Sequence, residues 1–383
     1  MKRGDSMVPY KKVSTVFLVA LLLSSLLGGG TQLAQANTRQ STANEAAQGS
    51  CEKVTVMTRN MYAGTDFADI LAAQDLPTLF TEVAEAFAEV QASDPQSRIQ
   101  AIAHEILANK PGLISLQEVA LWQTGPFDPQ TPATTVAFDY LQLLLAELAK
   151  HNLEYEPVAV LNNLQAEVPA LGPNGLFDVR FTDRLVVLIR TDLNRNHELE
   201  LGAVEARHFS TLLAVPTATL GLITIPRGYI AADVGRCGET FRFVAAHLES
   251  FEEILGLPFP FFRFAQASEL LQVPAATGVP VVLAGDFNAD AENPTDPTYQ
   301  LLLSGGFIDA WEVANPNRPG FTWPLFLVNP FEYVSAFQRL DLVLTRGVVE
   351  AAHAEVVGES DVTPQRPMPS DHAGVVVDLR LLL

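Results

Sequence analysis

Val281-Val-Leu-Ala-Gly-Asp-Phe-Asn-Ala-Asp290, or VVLAGDFNAD, decides how this chain folds. Four apolar residues, two of them β-branched, run into Gly285 and then into Asp286 and Asn288, with Phe287 between them. A strand whose body is apolar on both sides is covered on both faces. Residues two apart in an extended chain share a face. Asp286 and Asn288 are therefore expected on one side and Phe287 on the other, in the core. Gly285 is expected to let the backbone come close to whatever sits at this strand end.

The pattern recurs along the chain. Short apolar strands are predicted at Val54–Met57, Gly112–Val119, Arg184–Ile189, Phe241–Ala246, Val279–Ala284, Leu340–Leu344 and Gly374–Leu379. Apolar residues at helical spacing predict helices over Gln96–Ala108, Ala137–Lys150 and Arg263–Leu271. Asn109-Lys-Pro-Gly112 stops the first of these. Strands apolar throughout, with helices between them, predict a mixed α/β layered fold. Two sheets packed face to face with helices outside would cover both faces of each strand.

The strand ends carry the chemistry. Val54 to Asn60 ends in Asn60, and Leu113 to Glu118 ends in Glu118. Phe243 to His247 ends in His247, and Leu283 to Asp286 ends in Asp286 with Asn288 beyond it. Asp341 opens one strand, and Asp371 and His372 precede the last. Each of these side chains binds metals, moves protons or donates hydrogen bonds. Six such ends in one chain are expected to converge on a single site.

With those residues in place, the chain resembles the endonuclease/exonuclease/phosphatase superfamily. The order is that of the family: Asn60 after the first strand, Gln117-Glu118, His247-Leu248, Gly285-Asp-Phe-Asn288, Arg339-Leu-Asp341 and Ser370-Asp-His372. The likeness spans about Val54 to Leu379. It implies a four-layered α/β sandwich, two packed mixed β-sheets flanked by helices, with the site at one edge of the sheets. It also implies a metal-dependent phosphodiesterase. In that frame Glu118 holds Mg²⁺ (Mn²⁺ or Ca²⁺ being the other candidates), helped by Asn60 and Asp371. Asp286 orients or deprotonates the attacking water, and Asn288 helps bind the phosphate. His372 contacts the scissile phosphate and is oriented by Asp341, and His247 serves as acid or second base. Elementary chemistry agrees with these roles. Mg²⁺ takes oxygen ligands and needs only one or two carboxylates. Histidine is suited to proton transfer near neutral pH. A carboxylate on one ring nitrogen fixes the tautomer.

The chain has 383 residues, 48% of them hydrophobic, enough for a large core. Residues 1–36 read as a secretory signal peptide. Lys2, Arg3, Lys11 and Lys12 precede the apolar run Val16–Leu27, and Ala34-Gln-Ala36 ends the segment. The run is shorter than the roughly 20 residues a membrane span needs. Residues 37–50 are small and polar, a flexible lead-in. Residues 51–383 form one catalytic domain with no internal repeat. The protein is thus expected to be secreted or periplasmic. Cys51 and Cys237 stand either as one disulfide or as two separate thiols.

Loss of residues 1–36 changes Lys+Arg from 24 to 20 and Asp+Glu from 44 to 43, a net charge near −23. Lys53, Lys110 and Lys150 are the only lysines that remain. So acidic a chain is poorly suited to broad electrostatic capture of nucleic acid, although a bound cation can invert the local charge. The expected partner is a phosphodiester substrate, either a lipid headgroup or a nucleic acid. Nothing in the sequence calls for a stable protein partner. Two aromatic segments, Phe251–Phe264 and Trp323–Phe337, either touch a membrane interface beside the site or cover helices as satellite core. Arg180, Arg184 and Arg227 are candidates to approach the phosphate. A binding module without catalysis would be expected to lose one of the six polar ends, and none is missing.

Overall fold

The computed structural model describes residues 53–251, 256, 260–327, 332–347, 349–359 and 368–381. The expected leader and lead-in, and Cys51, lie outside the described residues. Cys237 is disulfide-bonded.

Two large sheets form the centre of the molecule. The first has eight strands: β1 (Lys53–Asn60), β2 (Leu113–Gln117), β3 (Leu121–Pro126), β4 (Thr135–Asp139), β5 (Tyr155–Gly172), β6 (Gly175–Arg190), β17 (Val349–Val357) and β18 (Gly374–Leu381). Their spatial order is β17-β18-β1-β2-β6-β3-β4, with β5 paired to β6 off this path. The second has six strands: β7 (Glu200–His208), β10 (Gly228–Arg236), β11 (Glu239–His247), β12 (Val281–Asp286), β13 (Ile308–Asp309) and β16 (Asp341–Arg346). Their order is β13-β16-β12-β11-β10-β7. Two small hairpins, β8 (Leu213–Thr217) with β9 (Gly221–Ile225) and β14 (Phe326–Leu327) with β15 (Glu332–Tyr333), stand apart from both sheets.

The period of two in each strand explains the layers. On β12, Val282 and Ala284 enter the core between the sheets, while Val281 and Leu283 enter a core on the far side. On β1, Val54 and Val56 face the other sheet and Met57 faces the helices. The inter-sheet core also holds Val187, Ile230, Phe243 and Val343. The helices Leu76–Ala92, Pro95–Asn109 and Tyr140–Lys150 cover the first sheet through Val83, Ile102 and Leu144. The helices Phe261–Gln272 and Pro297–Ser304 cover the second through Leu270 and Leu302. The result is the expected four-layered α/β sandwich. Two neighbouring pairs are parallel, β1 with β2 and β11 with β12. Each needs a crossover, and helices supply both.

Three expectations are corrected. The helix predicted over Ala137–Lys150 begins only at Tyr140, because residues up to Asp139 pair with β3 as β4. Asp139 then caps the helix, its carboxylate accepting from Leu141 and Gln142 N–H. The chain does not stay extended past Asp286. Asn288 has φ +49° and its N–H bonds Asp286 Oδ1 at 2.9 Å, a tight Asx turn. Asn288 Nδ2 is thereby turned to the Leu248 carbonyl, at 2.9 Å. Gly285 is required by its neighbouring strand rather than by the site: a Cβ there would stand 2.0 Å from the Ala246 carbonyl oxygen. Phe287 is fully buried, as expected.

No helix among the described residues is long and apolar enough to cross a membrane.

Candidate active site

Strand register builds the site. His247 pairs with Asp286, and Asp286 pairs with Asp341, across β11, β12 and β16. Directly paired residues point to the same face. Two residues back, Ala245, Ala284 and Val343 all lie in the inter-sheet core. The row His247–Asp286–Asp341 therefore stands at the mouth of that core, facing the first sheet. From that sheet, Asn60 at the end of β1 pairs with Gln117 at the end of β2, and Glu118 follows. His372 lies two residues before β18, which pairs with β1. Both sheets thus end their polar tips at one edge.

The tips are in contact. Asn60 Nδ2 donates to Glu118 Oε1 and to Asp286 Oδ2, each at 3.0 Å. Asn60 Oδ1 accepts from Tyr62 N–H at 2.8 Å. The amide in this arrangement holds the two acids together rather than offering its oxygen to a cation. Glu118 Oε2 accepts from Ala63 N–H at 2.8 Å. Tyr62 and Glu118 have φ of +56° and +53°, and such left-handed non-glycine residues cost roughly 1 kcal/mol or more each. The backbone is bent to bring this carboxylate and its donor together.

His372 Nδ1 bonds Asp341 Oδ2 at 2.8 Å, and His372 Nε2 stands 3.7 Å from Asp286 Oδ2. Arg339, two residues from Asp341 in sequence, pairs elsewhere, with Asp309, Glu292 and Glu312. His247 Nε2 stands 3.6 Å from the same Asp286 oxygen. Arg227 Nη1 lies 2.9 Å from His247 Nδ1 and 3.2 Å from its Nε2, so the guanidinium sits over the edge of the ring. Both imidazoles turn Nε2 toward Asp286. On the opposite face of β1, Arg59 pairs with Glu105 at 2.8 Å and also donates to the His372 carbonyl.

Burial and charge set the protonation states. Burial opposes charge on His372, but Asp341, Asp286 and Asp371 outweigh it and push the imidazole up to about 10. His247 is driven well below the usual histidine range by burial, by Arg227 and by His372. Burial and the nearby Asp341 raise Asp286, against the pull of His372. Glu118 is pushed up to about 7 by burial, then by Asp371 and Asp183. One histidine is thus a cation and the other neutral at pH 7.

Two arrangements of these groups fit a divalent cation. Asp286, Asp341 and His372 offer ligand atoms all within 4.8 Å of one another. There, however, His372 already spends its Nδ1 proton on Asp341, and a cation would have to displace it. Glu118 and Asp371 line the cleft together with Asp183 and Arg227. That wall carries excess negative charge, and its Asp183 Oδ1, like Asp341 Oδ1, is buried with no hydrogen-bond partner among the described residues. Hard oxygen donors with uncompensated charge suit Mg²⁺, and this wall is the better fit. The cleft has a volume of about 190 Å³.

The remaining expected residues fall differently. Arg184 turns away to the Val119 and Ala120 carbonyls and to Asp139. Arg180 meets Glu167 at 3.9 Å outside the site. Arg227 alone of the three arginines reaches the cleft. Asp183, Asn163 and Ser250 around it escaped the sequence reading. Asp183 Oδ2 lies 3.6 Å from Arg227 Nη1 and accepts from Asn163 Nδ2 at 3.1 Å. Strand parity was the usable signal, since Asp183 and Arg184 necessarily face opposite ways. Of the aromatic segments, residues 252–255, 257–259 and 328–331 lie outside the described residues. Phe251 lines the cleft, and the Trp323 ring lies 6.2 Å from that of His372.

The sequence pattern of the Endonuclease/Exonuclease/phosphatase family matches residues 85–372. The match begins beyond β1, so Asn60 lies outside it, while Glu118 to His372 lie within. Among solved structures, an endonuclease/exonuclease/phosphatase family protein from Leptotrichia buccalis is similar at 16% identity and a TM-score of 0.53, over 85% of this chain and 99% of that one. One from Bacteroides thetaiotaomicron matches at 16% and 0.53, over 86% and 98%. A mannosyl-6-phosphatase from Bacteroides thetaiotaomicron matches at 15% and 0.50, over 85% and 99%. At such identities the likeness is one of fold. No curated protein matched the chain.

Proposed function

The chain belongs to the Endonuclease/Exonuclease/phosphatase family, and from that premise we propose that it is a secreted or periplasmic, divalent-metal-dependent phosphodiester hydrolase. One observation carries the reading: Asp286 Oδ2 is the common target of Asn60 Nδ2 at 3.0 Å, His247 Nε2 at 3.6 Å and His372 Nε2 at 3.7 Å. A carboxylate facing one amide donor and two imidazole nitrogens marks the place where a water and an anionic phosphoryl group would be held. Asp286, made more basic by its burial, takes the proton of the water as its oxygen bonds to phosphorus. The His372 imidazolium, fixed by Asp341, meets the charge on a phosphoryl oxygen. The leaving oxygen departs with its bonding electrons, and His247 Nε2–H offers it a hydrogen bond. Glu118 and Asp371 would hold Mg²⁺, or Mn²⁺ or Ca²⁺, which when bound neutralises phosphoryl charge and lowers the pKa of a bound water. Asn288, tied to Leu248, shapes the turn that presents Asp286.

The test is hydrolysis of bis-p-nitrophenyl phosphate with Mg²⁺, beside p-nitrophenyl phosphate as the monoester comparison. Turnover is expected on the diester, abolished by EDTA and by His372→Ala. Comparable turnover by the folded variant would refute the mechanism. The two leading substrate readings are a lipid phosphodiester and an extracellular nucleic acid. The scarcity of lysine supports the first.

A further inference from the structure

Beside the catalytic cleft lies a second hollow of about 90 Å³ with hydrocarbon walls. Its floor is the aromatic trio Phe67, Trp122 and Phe181, with ring centroids 5.0 Å apart for Phe67–Phe181 and 4.6 Å for Trp122–Phe181. One wall is the helix Leu76–Ala92, through Val83 and Ala86. The other is the β8–β9 hairpin, through Ile223 and Ile225. That hairpin belongs to neither large sheet. It packs Leu213, Val215 and Ile225 against Phe251 and Phe262 and leaves Leu222 exposed near its turn.

The groove is an extension of the cleft. Phe67, Leu164, Phe181, Ile225 and Phe251 line both. A ligand group leaving the Glu118–Arg227 end of the cleft would pass directly onto hydrocarbon. The charge around it selects the occupant. Asp66, Asp69, Glu82, Glu85 and Glu89 border a neighbouring hollow that shares Ile70 and Ala86 with the groove. A nucleic-acid strand continuing this way would carry its next phosphates past those carboxylates, at a repulsive cost. The polar edges of its bases would meet only hydrocarbon side chains in the groove, a further desolvation penalty. A hydrocarbon chain meets neither penalty.

We propose that this groove holds the alkyl chain of an amphiphilic phosphodiester whose phosphate lies in the catalytic cleft. The proposal rests on the phosphodiesterase reading above and names the substrate class of the same site.

The test uses p-nitrophenyl phosphodiesters of methanol, butanol and octanol, with the p-nitrophenyl ester of thymidine 5′-phosphate as the nucleotide arm. All four release p-nitrophenolate, so only the other substituent varies. In the wild-type enzyme with Mg²⁺, kcat/KM is expected to rise from methyl to octyl, roughly fourfold for each methylene that enters the groove. The nucleotide ester is expected to match the methyl ester. Ile223→Asn, on the hairpin away from the cleft, should leave methyl-ester turnover unchanged and flatten the series. A flat series in the wild type overturns the proposal while leaving the phosphodiesterase reading intact. So does a nucleotide ester that outruns the octyl ester, or an equal loss on all esters in the variant. Failure to hydrolyse any of the four overturns the underlying reading as well.

Discussion

Glu118→Gln provides a test of the site that needs no substrate. Glu118 lies partly buried among Asn60, Asp371 and Asp183, and loss of water around it pushes its carboxyl from 4.5 to about 7. A folded-state pKa raised above the unfolded one means that the native protein holds this proton too tightly. The contribution to stability is whole below about pH 4.5, and it is lost as pH rises through about 7. Each pH unit of that interval costs about 1.4 kcal/mol. Metal-free wild type is therefore destabilised at pH 8 by about 3 kcal/mol relative to a form that cannot ionise there. Glutamine is such a form. Its amide nitrogen cannot accept, so one of the two bonds that Glu118 takes, from Asn60 Nδ2 and from Ala63 N–H, is lost; that cost does not vary with pH and cancels when the two proteins are compared across pH. The assay is urea unfolding in EDTA from pH 4.5 to 8, comparing the two proteins. Between pH 4.5 and pH 8 the stability of the variant relative to wild type should rise by about 3 kcal/mol. Excess Mg²⁺ should then stabilise wild type at pH 8 and leave the variant unmoved. A stability difference that stays constant from pH 4.5 to pH 8 would show that Glu118 does not carry buried, uncompensated charge, and the metal reading of that wall would go with it.

Asp341→Asn should keep the fold, because the amide replaces the carboxylate in shape, but it removes the charge that holds His372 as a cation. By analogy with serine-hydrolase triads, kcat is expected to fall by about 10³- to 10⁴-fold, with little change in melting temperature. A loss under tenfold would assign Asp341 a packing role only. The leader reading of residues 1–36 is checked by N-terminal sequencing of exported protein. Its first residue should be Asn37, and a mature chain retaining Val16–Leu27 would exclude cleavage there.

The layers were legible because the code for them is local. A strand such as Val281–Ala284 with no polar face announces two covering layers wherever its partners come from. Its polar tip could also be read locally, as could those at Glu118, His247 and His372. The pairing of Asp286 with His247 and Asp341 could not, because register is set by strands far apart in sequence. The pairing of Asp183 with Arg227 was obscured for the same reason: on one line of text each is an ordinary charged residue, and only the packing of one sheet on the other brings Asp183 of β6 to Arg227 just before β10. The turn at Asn288 and the helix start at Tyr140 failed on another account. In both, an Asp side chain captures a backbone N–H and sets the boundary of the regular pattern two or three residues from where periodicity alone would set it.

The polar tips are divided between the two sheets, with Asn60, Glu118 and His372 on one and His247, Asp286 and Asp341 on the other. Neither sheet owns a working set. A chain that kept every strand and helix but let the sandwich loosen by a few ångströms would look native to far-ultraviolet spectroscopy and still be inert. Turnover in this protein is thus a gauge of how its halves dock rather than of how much secondary structure it retains.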